Sequence, residues 1–520
     1  MQLIPENGQN FFSEAANISG GVNSARGDVG TYNLRNLGTG NTLVLLNGRR
    51  LVNSASYQTE EVGGSFVPVN SVNVNTIPVH GLSRVEVLRD GASAIYGADA
   101  VAGVVNHVLK SNFVGLTMQG RWAEYDNLPR NDQTLSVEWG KDFNGGRTNV
   151  SSFYSYYARD RVNSQDDPRW ANADFSDRVP ADSPWFGLVA WCNESTHSIF
   201  GQVDILSSAM ASIRGVVTDN AGEFETYPIG DDRCQYIISA TTCGGVDGQG
   251  TFRSNLNADR DLSSKLSRQN LFVFINHEFE NGVEGFTEFS YYESKTNLRR
   301  HGTAPFTSSQ LRVGASNYYN PLGPCGSPNR LSDELIGDVP CSGLELNIDN
   351  YRFDELPRIV DNDGDTFRFL QGFRGELGDW SWETALAYSK ATKEDVTRNR
   401  VSNMLITEAL FDDTPGAYNP FSGGVNSNIE RALIDVRRDN ETELTTFDMK
   451  FAHPEIFSLP AGPVGFVLGL EYREETFLDD RDDRLDGTIN FVDFDGDTYP
   501  LVSYVVISSP TPDIEGACSY

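Results

Sequence analysis

From Val114 onward the chain alternates apolar and polar residues in short segments, and the connections between those segments are alternately long and short. Val114, Leu116, Met118 and Trp122 share one parity against Thr117, Gln119 and Arg121, and Leu135, Val137 and Trp139 oppose Ser136 and Glu138. A period of two is that of a β-strand with one apolar face. Paired segments follow at residues 270–278 with 283–293, 367–377 with 380–388, and 444–451 with 464–477. Tight connections join them near residues 281, 378 and 460, like the Asn144, Gly145, Gly146 turn before them. Polar excursions run between the pairs, over residues 159–265, 296–365 and 394–440. A soluble sandwich has no reason to place every long loop on alternate connections, whereas a membrane barrel has tight turns on one rim and long loops on the other. The fragments YNPLG (319–323) and YNPFSGG (418–424) recur in successive excursions and read as similar elements on the long-loop rim.

Composition narrows the function. Acidic residues outnumber basic ones, 72 to 41, for a net charge of −31, which speaks against nucleic acid or an anionic surface held on a broad basic face. No apolar run approaches the ~18 residues of a membrane helix, so any membrane span must be built from strands. The sequence has no Gly-x-Ser-x-Gly elbow, His-Glu-x-x-His pair or phosphate loop, and Gly38 with Gly40 lacks the third glycine of a dinucleotide loop. No enzyme is expected. The six cysteines lie in irregular polar stretches without a Cys-x-x-Cys pair, and the six histidines are scattered. Disulfides are therefore expected, Cys234 with Cys243 and Cys325 with Cys341, leaving Cys192 and Cys518. Carboxylates cluster between Asp479 and Asp497 and again at Asp361, Asp363 and Asp365 around Gly364. Such loops suit a hard cation such as calcium, with Asp493, Asp495 and Asp497 as candidate ligands, although the spacing is not that of an EF-hand. No other cofactor is expected.

Ahead of the alternating region the chain is denser. Residues 84–110 read as a strand carrying Val85 and Val87, a turn at Asp90 and Gly91, about one helical turn ending at Gly97, and a second strand opened by Gly103. Small residues from Gly91 to Gly103 let backbones approach closely. Upstream, Leu43 to Leu46 is a continuous apolar run that suits a strand buried on both faces.

The order of these pieces closely resembles the plug domain of TonB-dependent outer-membrane receptors. RVEVLRDG, GASAIYG and AVAGVVN carry the resemblance, with NLRNLGTGNTLVLLNGRRL (33–51) and VNVNTIPVHGLSRVEVLRDG (72–91) before them. Asn36 departs from the family's usual glycine, and His107 from its usual aliphatic residue. The resemblance implies a mainly β fold: a small α/β plug domain (1–113, its N-terminal part missing) followed by an incomplete antiparallel transmembrane β-barrel (114–520) with long extracellular loops. It implies energy-coupled uptake of a scarce extracellular ligand across the outer membrane of a Gram-negative bacterium. The partners implied are outer-membrane lipid, the TonB energy-coupling complex and a small ligand of unknown type. The signature residues are Arg84, Glu86, Arg89, Gly91, Tyr96, Gly97, Gly103 and Asn106. By the same resemblance the arginine of the Glu-Val-Leu-Arg motif, Arg89, pairs with carboxylates of the barrel, for which Glu383 and Glu471 are candidates. About nine barrel strands can be counted against the ~22 of a plugged transporter, no secretory signal follows Met1, and IEGACSY at the end reads as a polar loop. A fragment is expected. The alternative is a surface or secreted all-β adhesin or carbohydrate-binding protein, in which the aromatics form a core and the acidic loops bind calcium.

Overall fold

The computed structural model describes residues 27–56, 58–62, 65–89, 96, 100–188, 191–205, 217–219, 222–246, 250–303, 311–493, 495–503 and 512–519. The turn and helical hook expected at residues 90–97, with Gly91 and Gly97, lie outside these residues apart from Tyr96. The N-terminal part is a four-stranded sheet of β1 (Thr42–Leu46), β2 (Arg49–Arg50), β3 (Leu82–Leu88) and β4 (Gly103–Leu109), in the order β2-β1-β4-β3. β1 and β4 run parallel with Thr42 opposite Gly103, and all five residues of β1 are buried, as a strand covered on both faces requires. Gly103 has φ +136°, and a Cβ there would stand 2.6 Å from the Leu88 carbonyl oxygen. Both departures from the expected motif have a structural reason. Asn36 sits at φ +55°, in the left-handed region that asparagine tolerates best after glycine. His107 is buried but not orphaned, its Nε2 lying 2.9 Å from the Tyr32 hydroxyl.

A single antiparallel sheet of ten strands follows: β5 (Gly115–Glu124), β6 (Asn131–Phe143), β7 (Thr148–Arg159), β8 (Lys265–Glu278), β9 (Glu284–Arg300), β10 (Arg358–Leu377), β11 (Trp380–Val401), β12 (Leu433–Leu459), β13 (Gly462–Arg481) and β14 (Ile514–Ser519). Each pairs with its neighbours in chain order. Among the described residues β5 and β14 have a partner on one side only. Leu116 and Met118 are 64% and 66% exposed, Trp139 is exposed and Val137 half-buried, while Ser136 and Glu138 are buried on the other face.

The outward face changes character with height. From the short turns upward it carries Phe373, Phe369 and Phe367 on β10, Trp382, Leu386 and Tyr388 on β11, and Phe466, Leu468, Leu470 and Tyr472 on β13. Beyond about ten residues, the reach of a tilted membrane-spanning strand, charge takes over. Asp365 accepts from the Tyr291 hydroxyl at 2.6 Å, Lys390 pairs with Glu441 and Glu443 at 2.5 and 3.2 Å, and Asp361 pairs with Arg398 at 2.8 Å. Asp361, Asp363 and Asp365, expected in a loop, are thus part of β10. Where both faces meet water the apolar alternation stops, but backbone pairing continues, so the strands run past their sequence signal.

The excursions expected to be irregular are folded. Two of them build a six-stranded sheet in the order Tyr236–Ile237, Thr242–Val246, Glu223–Pro228, Gln202–Ile205, Leu346–Asp349, Leu311–Val313. The third adds helix α1 (Asn403–Leu410), whose N-cap Ser402 accepts from Leu405 N at 3.2 Å. Val203, Phe224, Val313, Leu346, Ile406, Leu410, Tyr418 and Phe421 share one buried core, so the three excursions form a common cap. Both YNP fragments contribute to it: Tyr319 packs against that core and Tyr418 lies within it. Disulfides join Cys234 to Cys243 and Cys325 to Cys341, and Cys192 and Cys518 are free. The C-terminal stretch expected as a loop is β14, with Ile514 opposite Asp479.

Candidate functional site

The site is the contact between the N-terminal sheet and the ten-stranded wall. It begins with a tight turn at Asn47 and Gly48, both at positive φ (50° and 81°), the pairing that a two-residue hairpin favours. Asn47 Oδ1 accepts from Leu109 N at 2.9 Å. Gly48 N donates to Asn106 Oδ1 at 2.8 Å, Asn106 Nδ2 to Glu86 at 2.8 Å, and Arg84 Nε to Glu86 at 2.7 Å. Three signature residues therefore brace the turn rather than touch the wall. The turn in turn projects Arg49 and Arg50.

Arg49 lies against two wall carboxylates. Its Nη2 is 2.6 Å from Glu383 Oε1 on β11, and its Nε and Nη2 are 2.9 and 3.1 Å from the two oxygens of Asp448 on β12. Such a fork is the strong form of a charge-assisted hydrogen bond. Arg50 pairs with Glu471 on β13 at 3.2 Å and donates to the Tyr96 carbonyl at 2.8 Å. The ring of Phe286 lies under Arg49 at 5.3 Å and Arg374 at 5.4 Å, and Arg374 is held by Glu284 at 2.6 Å. Deeper in, Glu288 accepts from Asn47 at 2.9 Å and from the buried Arg368 at 2.6 Å.

Glu383 and Glu471 both lie at this contact, but the arginines they meet are Arg49 and Arg50. Arg84 is engaged within its own sheet, and the Arg89 carbonyl accepts from Arg35 at 3.4 Å. The Asn-Gly-Arg-Arg run was the available signal: a hairpin turn carrying two adjacent cations can reach carboxylates on several neighbouring wall strands.

A second contact faces β6 to β9. Asp28 accepts from Tyr292 at 2.6 Å and from Arg268 at 3.1 Å, and Glu138 accepts from Gly81 N at 3.1 Å and pairs with Lys110 at 3.2 Å. Val44, Leu46, Ile77 and Leu109 pack there on Phe153, Phe272 and Phe274. A Cβ at Gly81 would stand 2.8 Å from the Phe153 ring. Sequence reasoning missed this contact, because its members are 28 to 264 positions apart.

The remaining candidates do not join this site. Asp493 accepts from Asp497 N at 2.8 Å and the Tyr499 hydroxyl at 2.9 Å, and Asp495 pairs with Arg312 at 3.1 Å. They form a turn, not a converged donor set. Among the described residues, Asp174, Cys192 and Glu194 bring three metal-ligating atoms within 4.8 Å of one another.

Residues 2–104 match the family model described as TonB-dependent Receptor Plug Domain. Residues 2–104 carry the plug domain of this family. It is 28% identical over 152 residues to the ferric enterobactin receptor of Pseudomonas aeruginosa, covering 29% of this chain and 20% of that protein. It is 30% identical over 118 residues to the ferrienterobactin receptor of Escherichia coli K12, covering 22% of this chain and 15% of that protein. Among solved structures, a ferric enterobactin receptor mutant of P. aeruginosa superposes with a TM-score of 0.36 at 13% identity, covering 91% of this chain and 51% of that one. The ferric preacinetobactin receptor of Acinetobacter baumannii gives 0.37 at 10% identity, covering 96% and 55%. The matched stretches thus span about a fifth of the curated relatives' length, and the chain about half the length of the solved receptors.

Proposed function

We propose that this chain is the plug and part of the barrel of an outer-membrane receptor for energy-coupled uptake, and that its ligand is a ferric siderophore. The observation that supports it best is the seat of the plug: a pair of arginines on a hairpin tip, held by wall carboxylates Glu383, Asp448 and Glu471 near the short-turn rim. Ionic anchors let go under directed force and re-form without a permanent change, because water stabilises the separated charges. On the opposite rim, the folded cap offers the surface that meets the ligand first. The names of the relatives point to iron chelates as the ligand class. In this reading a TonB-type complex of the inner membrane supplies the force and the outward aromatic band meets lipid. A soluble adhesin would instead bury Leu116, Met118 and Trp139, which are exposed.

The test is uptake of radiolabelled ferric siderophores by iron-starved cells that carry or lack the gene. Uptake that depends on the gene and stops when the proton gradient is collapsed is expected. Gene-independent uptake, or uptake indifferent to the gradient, would sink the reading.

A further inference from the structure

The excursions that form the cap meet at two places where the polar contacts centre on a carboxyl group. At the first, the strand Gln202–Ile205 lies between Glu223–Pro228 of its own excursion and Leu346–Asp349 of the next. Val203 and Ile205 belong to the shared core, so Gln202 and Asp204 stand on the opposite face. Asp204 is directly opposite Glu223 on one side and Asn347 on the other, with Asp349 diagonal to it. The carboxyls of Asp204 and Glu223 are hydrogen-bonded to each other. Such a bond exists only while one of the two carries a proton, since an ionised carboxylate can only accept. Asp204 Oδ1 is buried without a hydrogen-bond partner. The charge of Asp219 also reaches Asp204, and His197 faces Asp349.

At the second place, Glu355 of the second excursion accepts from Tyr418 and Ser427 of the third, each at 2.8 Å. The Tyr418 and Tyr351 hydroxyls are 2.6 Å apart. Glu355 Oε2 is buried without a hydrogen-bond partner, and Asp354 faces the same carboxyl, itself faced by Asp259 and Arg352.

Like charges opposite one another across a sheet repel, and a buried charge that lacks a donor is costlier than the neutral acid. Burial, and after it the charges of Glu223 and Asp349, push the Asp204 carboxyl up to about 6. Burial pushes the Glu355 carboxyl up as well. The two places therefore act with one sign. Each carboxyl holds its proton more tightly in the folded cap than in the unfolded chain. Its contribution to stability is complete below the ordinary carboxyl range and is lost as pH rises through the folded value, about 6 for Asp204.

We propose that the cap is a proton-operated clasp: with Asp204 and Glu355 protonated the three excursions are held as one body, and loss of these protons loosens them from one another. In mildly acidic surroundings the cap stays closed, and towards neutrality it opens more often. The clasp needs no ligand; only the exposure of the cap to the external medium rests on the uptake reading above.

Hydrogen exchange of the full-length receptor in detergent micelles tests it, from about pH 5 to about pH 8, with amide rates corrected for their intrinsic dependence on pH. The opening constant of Gln202–Ile205, Leu346–Asp349 and α1 is expected to rise about tenfold or more over that range. Asp204→Asn and Glu223→Gln each keep a hydrogen-bonding group across the two strands while removing one acid, and each should reduce the rise. Asp204→Asn combined with Glu355→Gln should hold the constant within about twofold. A merely structural role would shift the constant by the same factor at every pH and leave the rise unchanged. That result, or a wild-type constant that is level with pH, overturns the proposal. Exchange is read without ligand or energy source, so a failure of the uptake experiment leaves this outcome standing, and the reverse.

Discussion

Arg49 shows how much of the plug's seat rests on one side chain. Its guanidinium is largely shielded, while Glu383 and Asp448 remain 34% and 26% exposed. Arg49→Ala leaves two neighbouring carboxylates without their cation. Fully buried pairs lose 3–5 kcal/mol in such a deletion, and the partial hydration here reduces this to about 1–3 kcal/mol. Arg49→Lys keeps the charge but loses the fork, and should fall between. The urea concentration at which the plug becomes protease-sensitive inside a folded barrel reads both; an unchanged midpoint in Arg49→Ala would show that the pair holds nothing. In the cap, Glu355 Oε1 accepts from Tyr418 and Ser427, each at 2.8 Å, while its Oε2 is buried without a partner. Burial pushes this carboxyl above its ordinary range, against those hydrogen bonds. The folded cap therefore holds the proton more tightly than the unfolded chain does. That contribution to stability is complete below the ordinary carboxyl pKa and is lost as pH rises through the raised folded value. Glu355→Gln should flatten this part of the pH profile and stabilise the cap at neutral pH, measured as amide protection of α1 from about pH 4 to about pH 8. A variant with the wild-type slope would rule Glu355 out.

The strands of the wall carry two codes in succession. Near the short turns, parity decides which side chains face outward and which face the plug; above them, charge pairs such as Lys390 with Glu441 occupy the outward face. The depth of a substitution should then matter more than its chemistry. Leu468→Arg, in the middle of the β13 apolar run, is expected to cost about 2–4 kcal/mol of folding into lipid vesicles, and Tyr472→Arg, at its upper edge, only about 0–1 kcal/mol. Equal costs in equilibrium folding titrations of the complete receptor would place the lipid boundary elsewhere. The buried β1 and the tight connections were legible because each is a local rule of backbone conformation or burial. The partners of Glu383 and Glu471 were not, because a strand's sequence says which face a carboxylate occupies and not which cation will stand opposite.

Taken whole, the molecule is a plug seated on a ten-stranded wall beneath one cap. Since the cap strands Gln202–Ile205, Glu223–Pro228 and Leu346–Asp349 share a core with α1, they should open as one cooperative unit. Hydrogen exchange is expected to give them a common opening free energy, lowered for all when the two cap disulfides are reduced; independent opening of α1 would contradict a shared core. The sequence by itself determined the class of fold, the family of the plug, the alternation of short and long connections and the local disulfide pairs. All of these follow from short-range rules of side-chain period, turn chemistry and chain proximity. Only the tertiary structure decided that the excursions condense into a cap, that β10 and its neighbours run past the apolar band, that Ile514–Ser519 is a strand, and that Arg49 and Arg50 anchor the plug. The physical reason is common to all four. Each depends on a partner hundreds of residues away or on backbone pairing, which leaves no periodic trace where both faces of a strand are wet.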